Sequence, residues 1–159
     1  MIVPLVLSQL IARCAPTVGP VTMSAVVAYE SGARPNAIGD NTERRSYEPA
    51  SRSEAIRLAG RLLQMGHNID AGYAQVNSDN FRAYGLSVAS AFDPCTNVAA
   101  GARILTRDYA AAERTYGPGQ VALVHALSAY NTGGYWRGLS YARSVYVTAS
   151  QLKYEGSRR

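Results

Sequence analysis

Long apolar runs are missing from this chain of 159 residues. No stretch reaches about 18 apolar residues, which excludes a membrane-spanning helix. Lysine is almost missing as well: Lys153 stands alone, and every other basic residue is arginine. Lys and Arg total 16 against 11 Asp and Glu, a formal net charge of +5. Such a balance suits anionic partners: nucleic acid, lipid headgroups or a bacterial cell wall. The arginines are scattered and no nucleic-acid motif accompanies them, so nucleic acid is not an expected partner. Cysteine occurs twice, at Cys14 and Cys95. Without a CxxC pair or a His/Cys cluster there is no expected metal site, and no cofactor is implied. His67 and His125 have no ligand-spaced neighbours and read as ordinary surface or core histidines. Two buried thiols and one disulfide both fit the composition.

What is present is ordinary globular material. The hydrophobic fraction of 47% argues against disorder, and the length suits one domain, expected to span 1–159. "MIVPLVLSQLIA" lacks a Lys/Arg start and a small-x-small cleavage site, and Pro4 interrupts it, so it makes a poor signal peptide. Leu7, Leu10, Ile11 and Cys14 instead share a helical face, predicting a helix over about 3–14. Pro20 suits the first turn of a second helix, about 20–31. "SGARPNAIGDNTERRSYEPAS" reads as a long loop over about 32–53. Ser51 and Glu54 have capping-box spacing. The helix they open carries Ala55, Ile56, Ala59, Leu62 and Leu63 inward and ends near Gly66. "NIDAGYAQVNSDNF" has short β-prone pieces and reads as a small hairpin or an irregular loop. In "AFDPC", Asp93 as N-cap and Pro94 as first helical residue start a helix to about Tyr116, with Val98, Ala102, Leu105, Tyr109 and Ala112 as its stripe. Gly101 in its interior implies close packing. A helix over about 119–130 is expected to turn Val121, Val124 and Leu127 inward and to break at "NTGG". A last helix, about 138–152, precedes the basic tail "EGSRR". The fold class is mainly α, with room for a very small β-hairpin.

One apolar stripe ends oddly. Met23, Val26, Val27 and Glu30 sit at i, i+3, i+4 and i+7, on one helical face. Glu30 lies near the helix C-terminus, where the dipole and partial burial both favour the neutral acid. A general acid acting on a glycosidic oxygen needs that form. The same position also suits a plain solvated glutamate. In "GYAQVN", Gln75 and Asn77 are amides at alternate positions, which an extended segment points the same way. Amides suit sugar hydroxyls and acetamido groups. "AYNTGG" closes a helix with Tyr130 and Asn131, an aromatic for stacking and an amide for hydrogen bonding, followed by glycines that let backbone approach a ligand.

Taken in order, "YESGARPNAIG", "GYAQVN", "FDPCTNVAAGARIL" and "SAYNTGG" resemble the lysozyme-like (SLT-type) lytic transglycosylases of bacteria. The likeness is greatest to the VirB-type branch that accompanies type IV secretion systems. It covers roughly residues 13–135, with the C-terminal helix and tail of about 138–159 beyond it, and "DPCxNV" with the upstream "CAP" is its most branch-specific element. It implies a goose-type lysozyme-like fold with a substrate cleft. Glu30 would be the catalytic acid/base and Ser31 would position it or a substrate group. Gln75 matches the amide of a Gly-Leu-Met-Gln motif that contacts the sugar chain, and Tyr130 and Asn131 match an Ala-Tyr-Asn motif lining the cleft. Asn97 reads as structural. The chain departs from the pattern at Tyr73 and Ala74, where many relatives carry Leu and Met.

The resemblance implies a periplasmic enzyme of a Gram-negative bacterium that cuts the MurNAc–GlcNAc β-1,4 bond of peptidoglycan glycan strands. Its products end in 1,6-anhydroMurNAc, and its partners would be periplasmic components of a type IV secretion system. Export also implies a Cys14–Cys95 disulfide, since bridges persist there. Two alternatives stay open: a hydrolysing muramidase, with Asp70 or another of Asp40, Glu43 and Glu48 activating water, and a non-catalytic module that binds peptidoglycan or secretion-machinery proteins.

Overall fold

The computed structural model describes residues 2–154; the basic tail from Glu155 onward lies outside the described residues. Among the described residues, seven α-helices carry most of the chain. They are α1 (Leu5–Cys14), α2 (Pro20–Ser31), α3 (Arg52–Gln64), the single turn α4 (Phe81–Tyr84), α5 (Pro94–Tyr116), α6 (Gln120–Thr132) and α7 (Leu139–Gln151). The mainly helical class holds, and α1, α2, α3, α5 and α7 fall within two residues of their expected bounds. The chain divides into two compact units, one formed by the chain up to Tyr29 with everything from Ala102 onward, the other by Glu30–Gly101.

In the first unit, α1 buries Leu7, Ile11 and Cys14 as its periodicity predicts. Before it, β1 (Ile2–Val3) pairs in parallel with β6 (Lys153–Tyr154). α2 differs from the expected one-sided stripe. Six consecutive residues, Met23 to Ala28, are all buried, so this is a helix apolar around its whole girth and enclosed by protein. Its two ends emerge, with Pro20 and Val21 exposed at the start and Tyr29 exposed and Glu30 partly so near the end. α6 lies against α7 and corrects a second expectation. Val121 does not point inward but is 58% exposed, and the buried face is Ala122, His125, Ala126, Leu127, Ser128 and Ala129. Small residues choose the packed face because they let the helices approach closely. Gly133, with φ of 69°, then ends the helix in a left-handed turn.

The second unit holds a four-stranded sheet of order β3-β2-β4-β5. Its strands are β2 (Ile38–Asp40), β3 (Arg45–Tyr47), β4 (Ile69–Ala71) and β5 (Val76–Asn77), antiparallel throughout. Of the hairpin or irregular loop expected for "NIDAGYAQVNSDNF", the β4–β5 hairpin forms; the β2–β3 hairpin replaces part of the expected loop 32–53. Its turn is closed by Asp40, whose Oδ1 accepts the backbone N–H of Thr42 and Glu43 at 3.0 and 3.2 Å. α3 starts as its capping signature predicts, Ser51 Oγ accepting the Glu54 N–H at 3.2 Å. The reciprocal bond shifts by one residue, Glu54 Oε2 accepting from Ala50 N at 2.9 Å. At the start of α5, Asp93 Oδ1 accepts both the N–H and the hydroxyl of Thr96, with Pro94 in the first helical position.

Candidate active site

Glu30 stands one residue before the end of α2, on a helix whose preceding turns are locked in apolar surroundings. Its backbone is therefore held by a rigid element rather than a loop. Ser31, the last residue of the helix, is 2% exposed, and its Oγ donates to the carbonyl of Tyr73 at 2.9 Å. Ser31 thus ties the helix end that bears Glu30 to the 72–75 turn. The Ser31 carbonyl is taken by Arg34, through Nε at 2.9 Å and through the backbone N–H at 3.2 Å.

The 72–75 turn is held more firmly than the sequence suggested. Asn97 is buried in the first turn of α5. Its Nδ2 donates to the carbonyls of Ala71 and Ala91, both at 2.8 Å, and its Oδ1 accepts the Ala74 N–H at 2.8 Å. Gly72 lies against this amide with φ of 74°; a Cβ there would come within 2.6 Å of Asn97 Nδ2 and 2.9 Å of the Ala91 carbonyl. The structural reading of Asn97 holds, and the motifs "GYAQVN" and "DPCTNV" prove to be two halves of one hydrogen-bonded unit. Ala74, where many relatives carry Met, is fully buried, while Tyr73 is half-buried and burial pushes its hydroxyl pKa up.

Gln75 and Asn77 do not share an extended segment. Gln75 has φ of 44°, a left-handed conformation, and it precedes β5 rather than belonging to it. Its Nε2 turns back onto the carbonyls of Ala37 at 3.1 Å and Gly72 at 2.8 Å. Asn77 belongs to a polar cluster on the sheet: its Nδ2 donates to Asn68 Oδ1 and Asp70 Oδ1, and its Oδ1 accepts from Asn68 Nδ2 and the Asp79 N–H. Both amides brace backbone in this structure.

The four other carboxylates weighed for catalysis also have partners or exposed positions. Asp40 is buried, with Oδ2 2.8 Å from His67 Nδ1. Burial drives its pKa up, but the hydrogen bond and charge of His67 and the turn N–H groups outweigh it and hold the pKa below the ordinary value. Asp70 moves the other way: burial raises its pKa despite hydrogen bonds from Asn41 and Asn77. Glu48 pairs with Arg34 at 2.6 Å on the surface, and Glu43 is exposed.

Tyr130 and Asn131 belong to the first unit, in the last turn of α6. Tyr130 stacks on Tyr141 with ring centroids 6.5 Å apart, and Tyr29 meets Tyr141 edge-on at 5.2 Å. Asn131 is exposed. The loop after them is built by two hydroxyls that the sequence reading passed over. Ser128 Oγ donates to the Gly134 carbonyl and accepts the Gly138 N–H, while Thr132 Oγ1 donates to the Ser128 carbonyl and accepts the Gly134 N–H. His125 is a core residue, stacked on Tyr116 at 4.0 Å with its Nδ1 donating to the Tyr135 carbonyl. Both cysteines are disulfide-bonded, joining Cys14 to Cys95.

Comparison with known proteins agrees with these motifs. The family model for the transglycosylase SLT domain matches residues 9–141. The type IV secretion system protein virB1 of Brucella abortus biovar 1 is 42% identical over 153 residues, covering 91% of this chain and 63% of that protein. The virB1 protein of Agrobacterium fabrum is 36% identical over 142 residues, covering 88% of this chain and 58% of its own length. That of Rhizobium radiobacter is 37% identical over 142 residues, with 88% and 59% covered. The chain thus spans about three fifths of the length of these curated relatives. No solved structure matches. Because the family match runs from α1 into α7, through Glu30, the Asn97-pinned turn and the end of α6, the chain belongs to the transglycosylase SLT domain family.

Proposed function

We propose that this protein is a peptidoglycan lytic transglycosylase that opens the cell wall locally for a type IV secretion system. The observation that carries the reading is the position of Glu30. It is an acid presented at the end of a buried helix, braced through Ser31 to the 72–75 turn, inside a family match covering residues 9–141. Glu30 donates its proton to the oxygen linking MurNAc to GlcNAc, and the C1–O bond breaks with oxocarbenium character. The resulting carboxylate takes the proton of the muramic acid's own C6 hydroxyl, whose oxygen closes a 1,6-anhydro ring on C1. No water is consumed, and the intramolecular nucleophile owes its rate to position. Ser31 acts as a positioning residue; Tyr130, Asn131, Gln75 and Asn77 contact or shape the sugar site. The relatives' names supply the secretion-system context, and periplasmic residence follows from the substrate. Among the described residues no helix is long and apolar enough to cross a membrane.

Mass spectrometry of products from purified sacculi tests the reading. Anhydro ends are expected from the wild type, and Glu30→Gln should lower the rate by about 100-fold or more. Reducing ends would assign a muramidase instead. Clearing by Glu30→Gln at the wild-type rate would remove Glu30 from catalysis, and clearing by neither protein would favour a binding module.

A further inference from the structure

A groove of about 690 Å³ runs between β3 and α3, in the second unit. None of Glu30, Ser31, Gln75 or Asn77 lines it, yet its volume lies in the range of pockets that hold ligands. β3 is the end strand of its sheet, so among the described residues no strand pairs with its outer side. α3 turns two stripes in two directions. Ala55, Ala59 and Leu62 are buried, while Glu54, Arg57, Leu58 and Arg61, spaced i, i+3, i+4 and i+7, line the groove. Arg57 and Arg61 are exposed there, and neither side chain makes an ion pair or hydrogen bond among the described residues. The two acids beside them are occupied: Glu48 by Arg34, Glu54 by the Ala50 N–H. Tyr47, its ring under the Arg45 guanidinium at 5.5 Å, and Leu58 add apolar surface.

We propose that this groove takes an extended acidic segment of a partner protein, which adds as a strand to the free edge of β3 and sets its carboxylates on Arg57 and Arg61. Strand addition supplies main-chain hydrogen bonds, and a helix across the groove supplies side-chain selection. The exposed edge is only three residues long, so it forms few bonds, and the paired arginines carry much of the selectivity. A peptidoglycan stem peptide fits less well. Its D-residues and γ-glutamyl link interrupt the regular N–H and C=O alternation that a β-ladder requires.

The test uses the full chain and the double variant Arg57→Glu/Arg61→Glu. Both substitutions are on exposed positions, and circular dichroism checks that the fold is kept. A displayed library of random peptides of about ten residues is selected against each protein, and the enriched peptides are titrated by fluorescence anisotropy. The wild type should enrich peptides with several Asp or Glu. The double variant should bind them about tenfold or more weakly, as should the same peptides N-methylated at alternate residues. Enrichment without an acidic bias, or equal binding by the double variant, overturns the proposal. Stem tetrapeptide that binds the wild type and competes with the selected peptides would assign the groove to the cell wall and overturn it too. Cleavage of sacculi by the double variant at the wild-type rate is expected, so this proposal and the transglycosylase reading fail separately.

Discussion

Asn97 shows how much one buried amide can organise. Its three hydrogen bonds satisfy the carbonyls of Ala71 and Ala91 and the N–H of Ala74, and an orphaned buried group costs about 1–3 kcal/mol. Asn97→Ala should lower unfolding free energy by about 2–4 kcal/mol in urea titration, with a loss of transglycosylase activity beyond what instability explains. The sequence marked Asn97 as structural but could not say what it holds, because its partners lie between 6 and 26 residues away. The expectation of an extended segment through Gln75 failed for a related reason: a positive φ at a non-glycine residue leaves no periodic trace. Asp40 and Asp70 give a test with opposite signs. The folded-state pKa of Asp40 lies below its ordinary 3.8, so its stabilisation is complete above that pH and is lost as pH falls through the folded value. Asp70 is raised, so the stability it contributes is present below 3.8 and fades as pH rises through its folded value. Measured between about pH 6 and 2, Asp40→Asn should lose less stability on acidification than the wild type, and Asp70→Asn should lose more.

At the level of elements, helices with capping signals were legible and the sheet was largely not. Asp93 accepts two hydrogen bonds from Thr96, and the backbone N–H of Thr96 is the main reason its carboxyl pKa is held low. Asp93→Ala should cost about 1 kcal/mol, with Asp93→Asn retaining most of it, read from thermal unfolding. Such signals act within three or four residues, so a single pass along the chain finds them. β2 and β3 offer three residues each, too few for a period of two to stand out, and β2 finds its second partner β4 some 30 residues later. The face of α6 was legible only in part: Leu127 is buried as expected, but the rest of the packed side rests on small and polar residues that carry little hydrophobic signal. Val121 meets solvent, while alanines, a serine and a histidine make the packed side.

For the whole molecule, motif order was more legible than architecture. Four short motifs in sequence sufficed to indicate the family, since each is tied to a position in a fold. The division into units was not visible, because the segment Glu30–Gly101 forms one unit while the chain before and after it forms the other, and nothing in composition changes at either border. The disulfide joins Cys14 to Cys95. Composition left its existence open; only an oxidising compartment argued for it. Its energetic consequence can be stated from the chain alone. Closing a loop of roughly 80 residues removes conformations from the unfolded ensemble, worth about 3–5 kcal/mol in the loop-entropy model. Cys14→Ala/Cys95→Ala should therefore unfold at lower urea by about that free energy, and wild type measured in excess thiol reductant should move to meet it. If the reduced wild type and the double variant both stay within about 1 kcal/mol of the oxidised protein, the bridge is not a main support of the fold. If the two fall together, the protein's stability depends on an oxidising compartment, the condition that the proposed cell-wall function requires.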